Sequence, residues 1–293
     1  MTLLADAGRQ PDVSGRGGVA VELVGVVHLY RQAGADVVGL RGVDLEVAAG
    51  EMLALLGPSG MGKTTVLRLM AGLMAASAGI VRVDGTDLGR LKGAERRRLR
   101  AVEISYIVQG TLPNVLPFAT ALENVWFAQH GAVREGRPPP WSPDELLSHL
   151  GLEEVADAPL NGLPRALQQA VAVAAGVAPG ARLLLADEPT AQLTSTGAEG
   201  VVALLKKVNA DFGTTVVIVT HDPVIADLFP RTVTIRDGRV GVEAHLGEEF
   251  AVVDGSGSVQ LPPDALALLP PNSRVKVVVT PTRVELHPPE ALP

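Results

Sequence analysis

An eight-residue stretch, Gly57 to Thr64, restricts the folds open to this chain more than any other feature. The apolar run Met52–Leu56 precedes it and predicts a buried strand, and the run Thr64–Leu73 at its end predicts a helix. A strand, a glycine-rich loop and a helix in this order are typical of the phosphate-binding unit of α/β folds. The stretch fits G-x-x-x-x-G-K-[ST] at every fixed position, as Gly57-Pro58-Ser59-Gly60-Met61-Gly62-Lys63-Thr64.

These loop residues suit the chemistry of a nucleoside triphosphate. Glycines let the backbone curl so that successive N–H groups point at phosphate oxygens, and the following helix adds its positive end. We expect Lys63 to bridge the β- and γ-phosphates, Thr64 to give its hydroxyl to Mg²⁺, and Thr65 to join the nucleotide site. The alternative is a glycine-rich turn that happens to contain a lysine. The flanking strand and helix argue against that alternative, so ATP and Mg²⁺ are the predicted cofactors.

A second apolar run, Arg182–Ala186, is followed by two carboxylates, Asp187 and Glu188. The run predicts a central parallel strand that is buried on both faces. Because a strand interior cannot hold unpaired charge, both acids are expected at its C-terminal tip, where open α/β sheets bind ligands. Asp187 is then placed to hold Mg²⁺ and Glu188 to polarise the attacking water. A helix N-cap is the plain alternative for such a pair.

Composition excludes several other classes of protein. The chain has 293 residues, a net charge of −7 and no cysteine. The negative charge argues against nucleic acid as a partner, and the lack of cysteine excludes disulfides and thiolate metal sites. The first 18 residues lack the basic and apolar regions of a signal peptide, and no apolar run approaches the roughly 20 residues that a membrane helix needs. If the protein serves a membrane, we expect it to dock there.

The pattern along the chain predicts several structural regions. Residues 1–18 read as a flexible tail, and residues 19–242 as one large α/β domain. Within that domain we expect antiparallel strands at Val19–Val24 and Val43–Val47, and a buried strand at Thr214–Thr220. A helical subdomain is expected at about residues 110–176, interrupted by a proline-rich loop at residues 137–143. Residues 243–293 are expected to form a small β-rich domain.

Two further motifs carry a resemblance to a known family. They are Thr120-Ala121-Leu122-Glu123-Asn124-Val125 and Leu184-Leu185-Ala186-Asp187-Glu188-Pro189-Thr190. With the phosphate loop, they make residues 19 to about 240 similar to the ABC ATPases, a P-loop NTPase family. The resemblance is greatest to the subfamily that serves macrolide-export, lipoprotein-release and cell-division permeases. It implies MgATP hydrolysis coupled to an integral-membrane permease, with export favoured. It also implies a second ATP-binding subunit and a cytoplasmic location, peripheral on the inner face of the cell membrane.

The resemblance assigns roles to three more residues. Tyr30 stands where the family places an aromatic that stacks on adenine; a half-buried strand tyrosine is the alternative. Gln109, after the predicted strand Ile104–Val108, matches the glutamine that senses Mg²⁺ and links the nucleotide site to the permease. His221 matches the switch histidine that contacts the γ-phosphate, with a plain capping histidine as the alternative. We therefore expect Glu188, His221 and Gln109 to be catalytic.

One family motif has changed in this chain. The family signature Leu-Ser-Gly-Gly-Gln falls on Leu163-Pro164-Arg165-Ala166-Leu167. In the family, this element grips the γ-phosphate bound on the opposite subunit of a dimer, with a serine hydroxyl and close-approaching glycine backbone. Here the serine is absent, Pro164 carries no N–H, and Arg165 and Ala166 add side chains. The next family motif reads Ala191-Gln192-Leu193-Thr194 and lacks its aspartate.

These changes favour an asymmetric heterodimer over a homodimer. A homodimer would place the altered signature over both ATP molecules, whereas a partner with an intact signature would complete one site. The competing hypothesis is that the Arg165 guanidinium replaces the lost donors.

The C-terminal residues predict a separate module. We expect a strand from Glu249, a turn at residues 255–257, a short strand, a helix at Pro263–Leu269 and strands at Arg274–Thr280 and Val284–His287. Through Val259-Gln260-Leu261-Pro262 and this strand order, the segment loosely resembles swapped-hairpin barrels of the AbrB/SpoVT type. Its acidic balance makes it a poor binder of a phosphate backbone, so we expect a dimerisation or regulatory module. A small β appendage covering the ATPase domain is the alternative.

Two other functions stay open at this point. The first is a non-hydrolytic subunit that binds ATP to hold or regulate an envelope complex. The second is a non-transport member of the fold that regulates another partner. Turnover measurements separate the first from a transport ATPase, and binding of a permease helix to the Gln109–Val125 region separates the second.

Overall fold

The computed structural model describes residues 17–32, 35–245, 248–253, 257–261, 263–270 and 273–288. The tail predicted for residues 1–18 lies almost entirely outside the described residues, as does most of the turn predicted at residues 255–257. The described strands are β1 (Val21–Gln32), β2 (Ala35–Val47), β3 (Met52–Leu56), β4 (Ala78–Val83), β5 (Thr86–Asp87), β6 (Ile104–Ile107), β7 (Leu183–Asp187), β8 (Thr215–Thr220), β9 (Arg231–Arg236), β10 (Arg239–His245), β11 (Glu248–Ala251), β12 (Lys276–Val279) and β13 (Val284–His287).

The described helices are α1 (Lys63–Met70), α2 (Gly93–Val102), α3 (Ala121–Arg134), α4 (Pro143–His149), α5 (Arg165–Val177), α6 (Ser195–Phe212), α7 (Pro223–Ala226) and α8 (Pro263–Leu268). Short 3₁₀ turns lie at Leu112–Asn114, Glu153–Val155 and Leu160–Gly162.

The main sheet has seven strands in the order β11-β10-β9-β3-β8-β7-β6. The strands from β9 to β6 are parallel, and β10 and β11 add to the edge as antiparallel strands. The carboxyl ends of β3, β6, β7 and β8 therefore meet at one edge of the sheet. Ligands bind at this edge in open α/β sheets.

Both faces of this sheet are buried, as the apolar runs predict. On β3, Met52 and Ala54 pack into one core with α3, α5 and α6, whereas Leu53 and Leu55 pack into a second core with α1 and the strands of the other sheet. Alternate residues reach opposite cores because strand side chains alternate between the two faces. Continuous apolar sequence in a strand of this kind is explained by burial on both sides.

A second, antiparallel sheet has the order β2-β1-β4-β5 and packs against α1. The strand predicted at Val19–Val24 overlaps β1, which begins two residues later, and the strand predicted at Val43–Val47 is the end of β2. β1 and β2 run 12 and 13 residues. The register between them shifts beyond Leu23, and Gly25 takes a left-handed φ of 56°. These bulges interrupt the period-two pattern, so the sequence showed only part of each strand.

The helical region lies between β6 and β7, as expected, with α3, α4 and α5 packed on the first core. Thr120 caps α3 and Ser142 caps α4, each in a reciprocal pair with a glutamate three residues later. The predicted proline-rich loop separates these two helices. Helix α1 ends at Met70 rather than Leu73, since Gly72 takes a left-handed φ of 61°.

The C-terminal strands do not all belong to a separate unit. Strand β10 passes through residue 243, where we expected a boundary, and β11 pairs with β10 in the main sheet. Beyond it lie α8 and the hairpin of β12 and β13. The strand at Val284–His287 has the expected bounds. The division of the chain into domains stays a prediction, but the main sheet continues to Ala251.

Candidate functional site

The loop after β3 is shaped by contacts that admit only glycine. Gly57 has a φ of 152°, and a Cβ there would collide with the carbonyl oxygen of Ile235. Gly62 has a φ of 100°. A Cβ at this position would lie too close to two atoms, 2.7 Å from Leu40 Cδ2 and 2.8 Å from the Gly39 carbonyl oxygen. The loop is therefore pressed between β9 and β2 and delivers the chain directly into α1.

Lys63 lies at the first position of α1 and is buried. Its Nζ donates to the carbonyl oxygens of Gly57, at 2.5 Å, and Pro58, at 2.8 Å. Burial lowers the pKa of Lys63, while the carboxylates of Glu188 and Asp187 oppose this shift. The loop carbonyls hold the buried Lys63 ammonium, and two carboxylates lie near it. This arrangement suits a phosphate anion that binds together with a divalent cation.

Asp187 lies at the carboxyl end of β7 and is 4% exposed. Its Oδ1 accepts from Thr64 Oγ1 at 3.1 Å, and its Oδ2 accepts from the Tyr106 hydroxyl at 3.3 Å. Burial and the neighbouring Asp187 carboxylate raise the pKa of Tyr106, so this phenol is a donor at neutral pH.

The Thr64 and Asp187 oxygens fit a divalent cation. Mg²⁺ prefers oxygen ligands and at nucleotide sites takes few from the protein, the rest coming from phosphates and water. Among the residues that the structure describes, no group of three or more His, Cys, Asp or Glu could hold a metal ion by itself. One hydroxyl and one carboxylate beside the phosphate loop agree with a cation that arrives with its nucleotide.

Glu188 follows β7 and takes a left-handed φ of 50°. Such a conformation in a non-glycine residue stores strain and is often found at functional sites. Its backbone N–H donates to the Val219 carbonyl oxygen at 3.0 Å, which fixes the turn against β8. Its Oε1 lies 2.9 Å from His221 Nδ1. The carboxylate is buried, whereas the imidazole is largely exposed, so the pair faces the cavity from the end of the sheet.

A cavity of about 420 Å³ brings most of the predicted site residues together. Ten of them line it: Tyr30, Ser59, Gly60, Gly62, Lys63, Thr64, Thr65, Gln109, Glu188 and His221. Its volume is in the range of small-molecule sites.

The other predicted site residues lie behind this lining. Gly57 and Pro58 hold Lys63, and Asp187 holds Thr64. Met61 accepts from the backbone N–H of Asp237 through its Sδ, at 3.3 Å. All the predicted site residues therefore lie in or directly beside one cavity.

Tyr30 is fixed at the far side of this cavity. Its hydroxyl lies 2.7 Å from Thr65 Oγ1, and its ring covers Gly39, where a Cβ would be 2.8 Å from the ring. The ring is thus positioned on the phosphate-loop side of β1. An aromatic ring that lines the cavity beside the phosphate loop suits a nucleoside base.

The segment Leu163–Leu167, where we expect the family signature, contributes Arg165 to a different cavity. Pro164 is the N-cap residue of α5, and Arg165 begins the helix. The Arg165 guanidinium donates to Gln192 Oε1 at 2.6 Å, and both residues line a second cavity that Lys63 does not reach. Within one chain, the signature segment and the phosphate loop therefore face separate spaces, although Gln109 borders both.

Sequence reasoning missed Tyr106. The signal was weak: Tyr106 has a polar tip and lies in the short strand β6, three residues before Gln109, but Ser105 in the same strand is polar too. It also missed that Glu188 and His221 bond directly, which depends on β7 and β8 being neighbours.

The part of the chain that the structure describes holds no helix that is both long and apolar enough to cross a membrane.

Comparisons with known proteins identify the family of this chain. A family model described as ABC transporter matches residues 40–191. The lipoprotein-releasing system ATP-binding protein LolD of Anaeromyxobacter dehalogenans is 41% identical over 75% of this chain and 92% of its own length. The macrolide export ATP-binding/permease protein MacB of Syntrophobacter fumaroxidans is 34% identical over 83% of this chain, which spans only 34% of that protein.

A solved structure extends the likeness to the fold. The dimeric post-hydrolysis state of the ATP-binding cassette MJ0796, bound to ADP and Pi, has a TM-score of 0.67 and 33% identity, and the match covers 77% of this chain and 98% of that one. From the family match and from these relatives, we conclude that the chain belongs to the ABC transporter ATP-binding family.

Proposed function

We propose that this chain binds MgATP in the cavity above the phosphate loop, hydrolyses it, and couples the cycle to a membrane permease. The observation that carries the proposal is the convergence of Lys63, Thr64, Glu188 and His221 on one cavity of about 420 Å³. ATPase activity and coupling to a permease agree with membership of the ABC transporter ATP-binding family.

Each residue has a role in this proposal. The loop N–H groups and Lys63 bind the phosphates, and Tyr30 stacks on the base. Thr64 and Asp187 would hold Mg²⁺, and Gln109 would sense it. When bound, the cation would supply positive charge for the phosphoryl group that is transferred.

Glu188 serves as the base that orients the attacking water. His221, 2.9 Å from Glu188, fixes the carboxylate and reaches the γ-phosphate side of the cavity. The buried position of Glu188 keeps competing bulk water away from the reacting atoms.

An exposed apolar surface offers a place for the permease. It follows Gln109 and carries four large side chains that are each more than half exposed: Leu112, Phe118, Trp126 and Phe127. We call these four residues the Leu112–Phe127 surface. Exposed aromatic side chains are enriched at protein interaction sites, and a permease helix fits the family. The chain would then be cytoplasmic and peripheral on the inner face of the membrane, and export is favoured because the relatives include a macrolide export protein.

We propose further that the chain works in an asymmetric dimer with a second ATP-binding subunit. The segment Leu163–Leu167 lacks the serine and glycines that would meet a γ-phosphate, while the phosphate-loop side of the site is intact. Pro164 and Arg165 are both exposed, which suits an element that faces another subunit. The hairpin of β12 and β13, with exposed Val277 and Val279, remains a proposed dimerisation or regulatory module. A non-hydrolytic subunit is the second candidate function, favoured only by the altered signature.

Replacing Lys63 with alanine tests the site. Because charge-assisted hydrogen bonds to phosphate are lost, we expect Lys63→Ala to weaken MgATP binding by about tenfold or more. Isothermal titration calorimetry measures this affinity. Lys92→Ala, which removes an exposed lysine on the surface, is the matched control and should bind as the wild type does. Equal affinities for Lys63→Ala and the wild type would refute the site assignment.

Substitution on the Leu112–Phe127 surface tests whether this surface binds a permease. Since a few central aromatics carry most of the energy of an interface, Phe127→Ser should weaken association with membranes of the host by roughly tenfold. Co-sedimentation with those membranes measures the bound fraction. Leu73→Ser, at another exposed apolar position, should leave association unchanged. Equal loss in both variants would mean that the surface has no specific role.

A further inference from the structure

A tyrosine that was not among the expected site residues contacts Asp187, the carboxylate proposed to hold Mg²⁺, from a neighbouring strand. Tyr106 on β6 pairs with Leu185 on β7, two residues before Asp187. Paired residues of parallel strands point to the same face, and so do residues two apart on one strand. Tyr106 and Asp187 therefore share a face of the main sheet. That geometry puts the phenol hydroxyl 3.3 Å from Asp187 Oδ2.

Helix α1 covers the same face and supplies two more groups. Thr64 and Arg68 stand four residues apart, on one side of the helix. Thr64 donates to Asp187 Oδ1 at 3.1 Å, and the positive charge of Arg68 lies near enough to the Tyr106 phenol to oppose the rise in its pKa. The Tyr106 hydroxyl donates to Asp187 Oδ2.

The two oxygens of Asp187 are consequently held from opposite sides. A carboxylate that is 4% exposed needs such donors, because a buried charge without partners is costly. Thr64 approaches one oxygen from the phosphate-loop helix, and Tyr106 approaches the other from β6. Groups that orient a metal ligand from behind are known to affect metal affinity strongly.

We propose that Tyr106 is a positioning residue for the Mg²⁺ site, holding the Asp187 carboxylate so that its Thr64-facing oxygen is presented to the cation. Tyr106 also stands three residues before Gln109, which follows the end of β6 at Ile107 by two residues. A shift of β6 near Gln109 is then transmitted to Asp187 through the phenol.

The test removes the hydroxyl and keeps the ring. Tyr106→Phe should need about three- to tenfold more Mg²⁺ for half-maximal tight ATP binding, the effect of one lost hydrogen bond. Calorimetric ATP titrations at a series of Mg²⁺ concentrations give this value, and ATP affinity in excess EDTA should be unchanged. The matched control is Ser105→Ala on the same strand, since Ser105 faces Gly176 of α5 instead of Asp187.

Two further variants keep the proposal falsifiable. If Tyr106 acts through Asp187, then Tyr106→Phe should cause no additional change in an Asp187→Asn background. Arg68→Met, at an exposed position, removes the positive charge near the phenol and should shift the Mg²⁺ requirement in the same direction by a smaller factor. The Mg²⁺ requirement of Arg68→Met therefore tests the proposal even if Tyr106→Phe fails to fold.

The outcomes separate this inference from the proposed function on which it rests. If the wild type shows no Mg²⁺-dependent ATP binding, the proposed function itself fails. If the wild type binds MgATP, Lys63→Ala weakens it, and the Mg²⁺ requirements of Tyr106→Phe and Arg68→Met equal that of the wild type, only the role of Tyr106 is refuted.

Discussion

Glu188→Gln is expected to reduce ATP turnover by about 10²-fold or more while ATP still binds. The amide keeps the size and the left-handed turn of Glu188 but cannot accept a proton from the attacking water. The contact with His221 can persist as a neutral hydrogen bond, so the cavity keeps its shape. Nucleotide-bound dimers should therefore accumulate. Phosphate release by the complex with its partner subunit and permease measures turnover, and size-exclusion chromatography with ATP measures the dimer.

Glu199→Gln provides the control for this experiment. Glu199 is an exposed carboxylate on α6 that borders a neighbouring cavity with Glu188 and His221 but does not line the Lys63 cavity. Its amide variant should turn over ATP at the wild-type rate. Wild-type turnover in Glu188→Gln, or equal losses in the two variants, would show that Glu188 is not the catalytic carboxylate.

Turnover by the purified chain alone should be at least about 10²-fold below that of a variant with a restored signature segment. Each donor missing at a developing anion typically costs about 10²–10³ in rate. The restored variant carries Pro164→Ser, Arg165→Gly, Ala166→Gly and Leu167→Gln. It regains a hydroxyl, a backbone N–H and close backbone approach at the start of α5.

Folding of the restored variant needs its own check. Two glycines in the first turn of α5 cost about 1 kcal/mol each in helix stability. The exposed bond between Arg165 and Gln192 is also lost, a small effect at the surface. A thermal unfolding scan therefore should show a modestly lower but cooperative transition.

The competing role of Arg165 gives a different result. If its guanidinium replaces the signature donors, the wild-type chain alone turns over ATP briskly and Arg165→Ala abolishes that turnover. The asymmetric dimer predicts that Arg165→Ala leaves the low rate of the isolated chain unchanged.

Much of the site could be predicted because its residues follow a fixed spacing. The loop Gly57–Thr64 and the acids after β7 each follow a strand and lie at the edge of the sheet. An apolar run before each of them predicts the strand, and the end of that run predicts where the sheet edge lies. The family resemblance then gave positions for Tyr30, Gln109 and His221, and all three line the same cavity as Lys63.

What the sequence did not reveal depends on which strands are neighbours. His221 meets Glu188 because β8 lies beside β7, with Val219 paired to Asp187. Tyr106 meets Asp187 because β6 lies on the other side of β7. No local pattern encodes this order. The length of β1 was missed for a different reason, since bulges near Gly25 break the alternation of apolar residues.

We propose that this chain supplies a complete phosphate-loop half of a site whose signature half comes from another subunit. Mixing two variants of the chain tests it directly. One has the wild-type sequence, and the other carries the restored signature together with Lys63→Ala. Each alone should turn over ATP slowly, because the first lacks a signature and the second lacks a working loop. In the mixture, ATPase activity should rise by about 10²-fold, since one composite site is complete. If the mixture is no more active than its separate components, the signature segment of a second subunit does not complete the site of this chain.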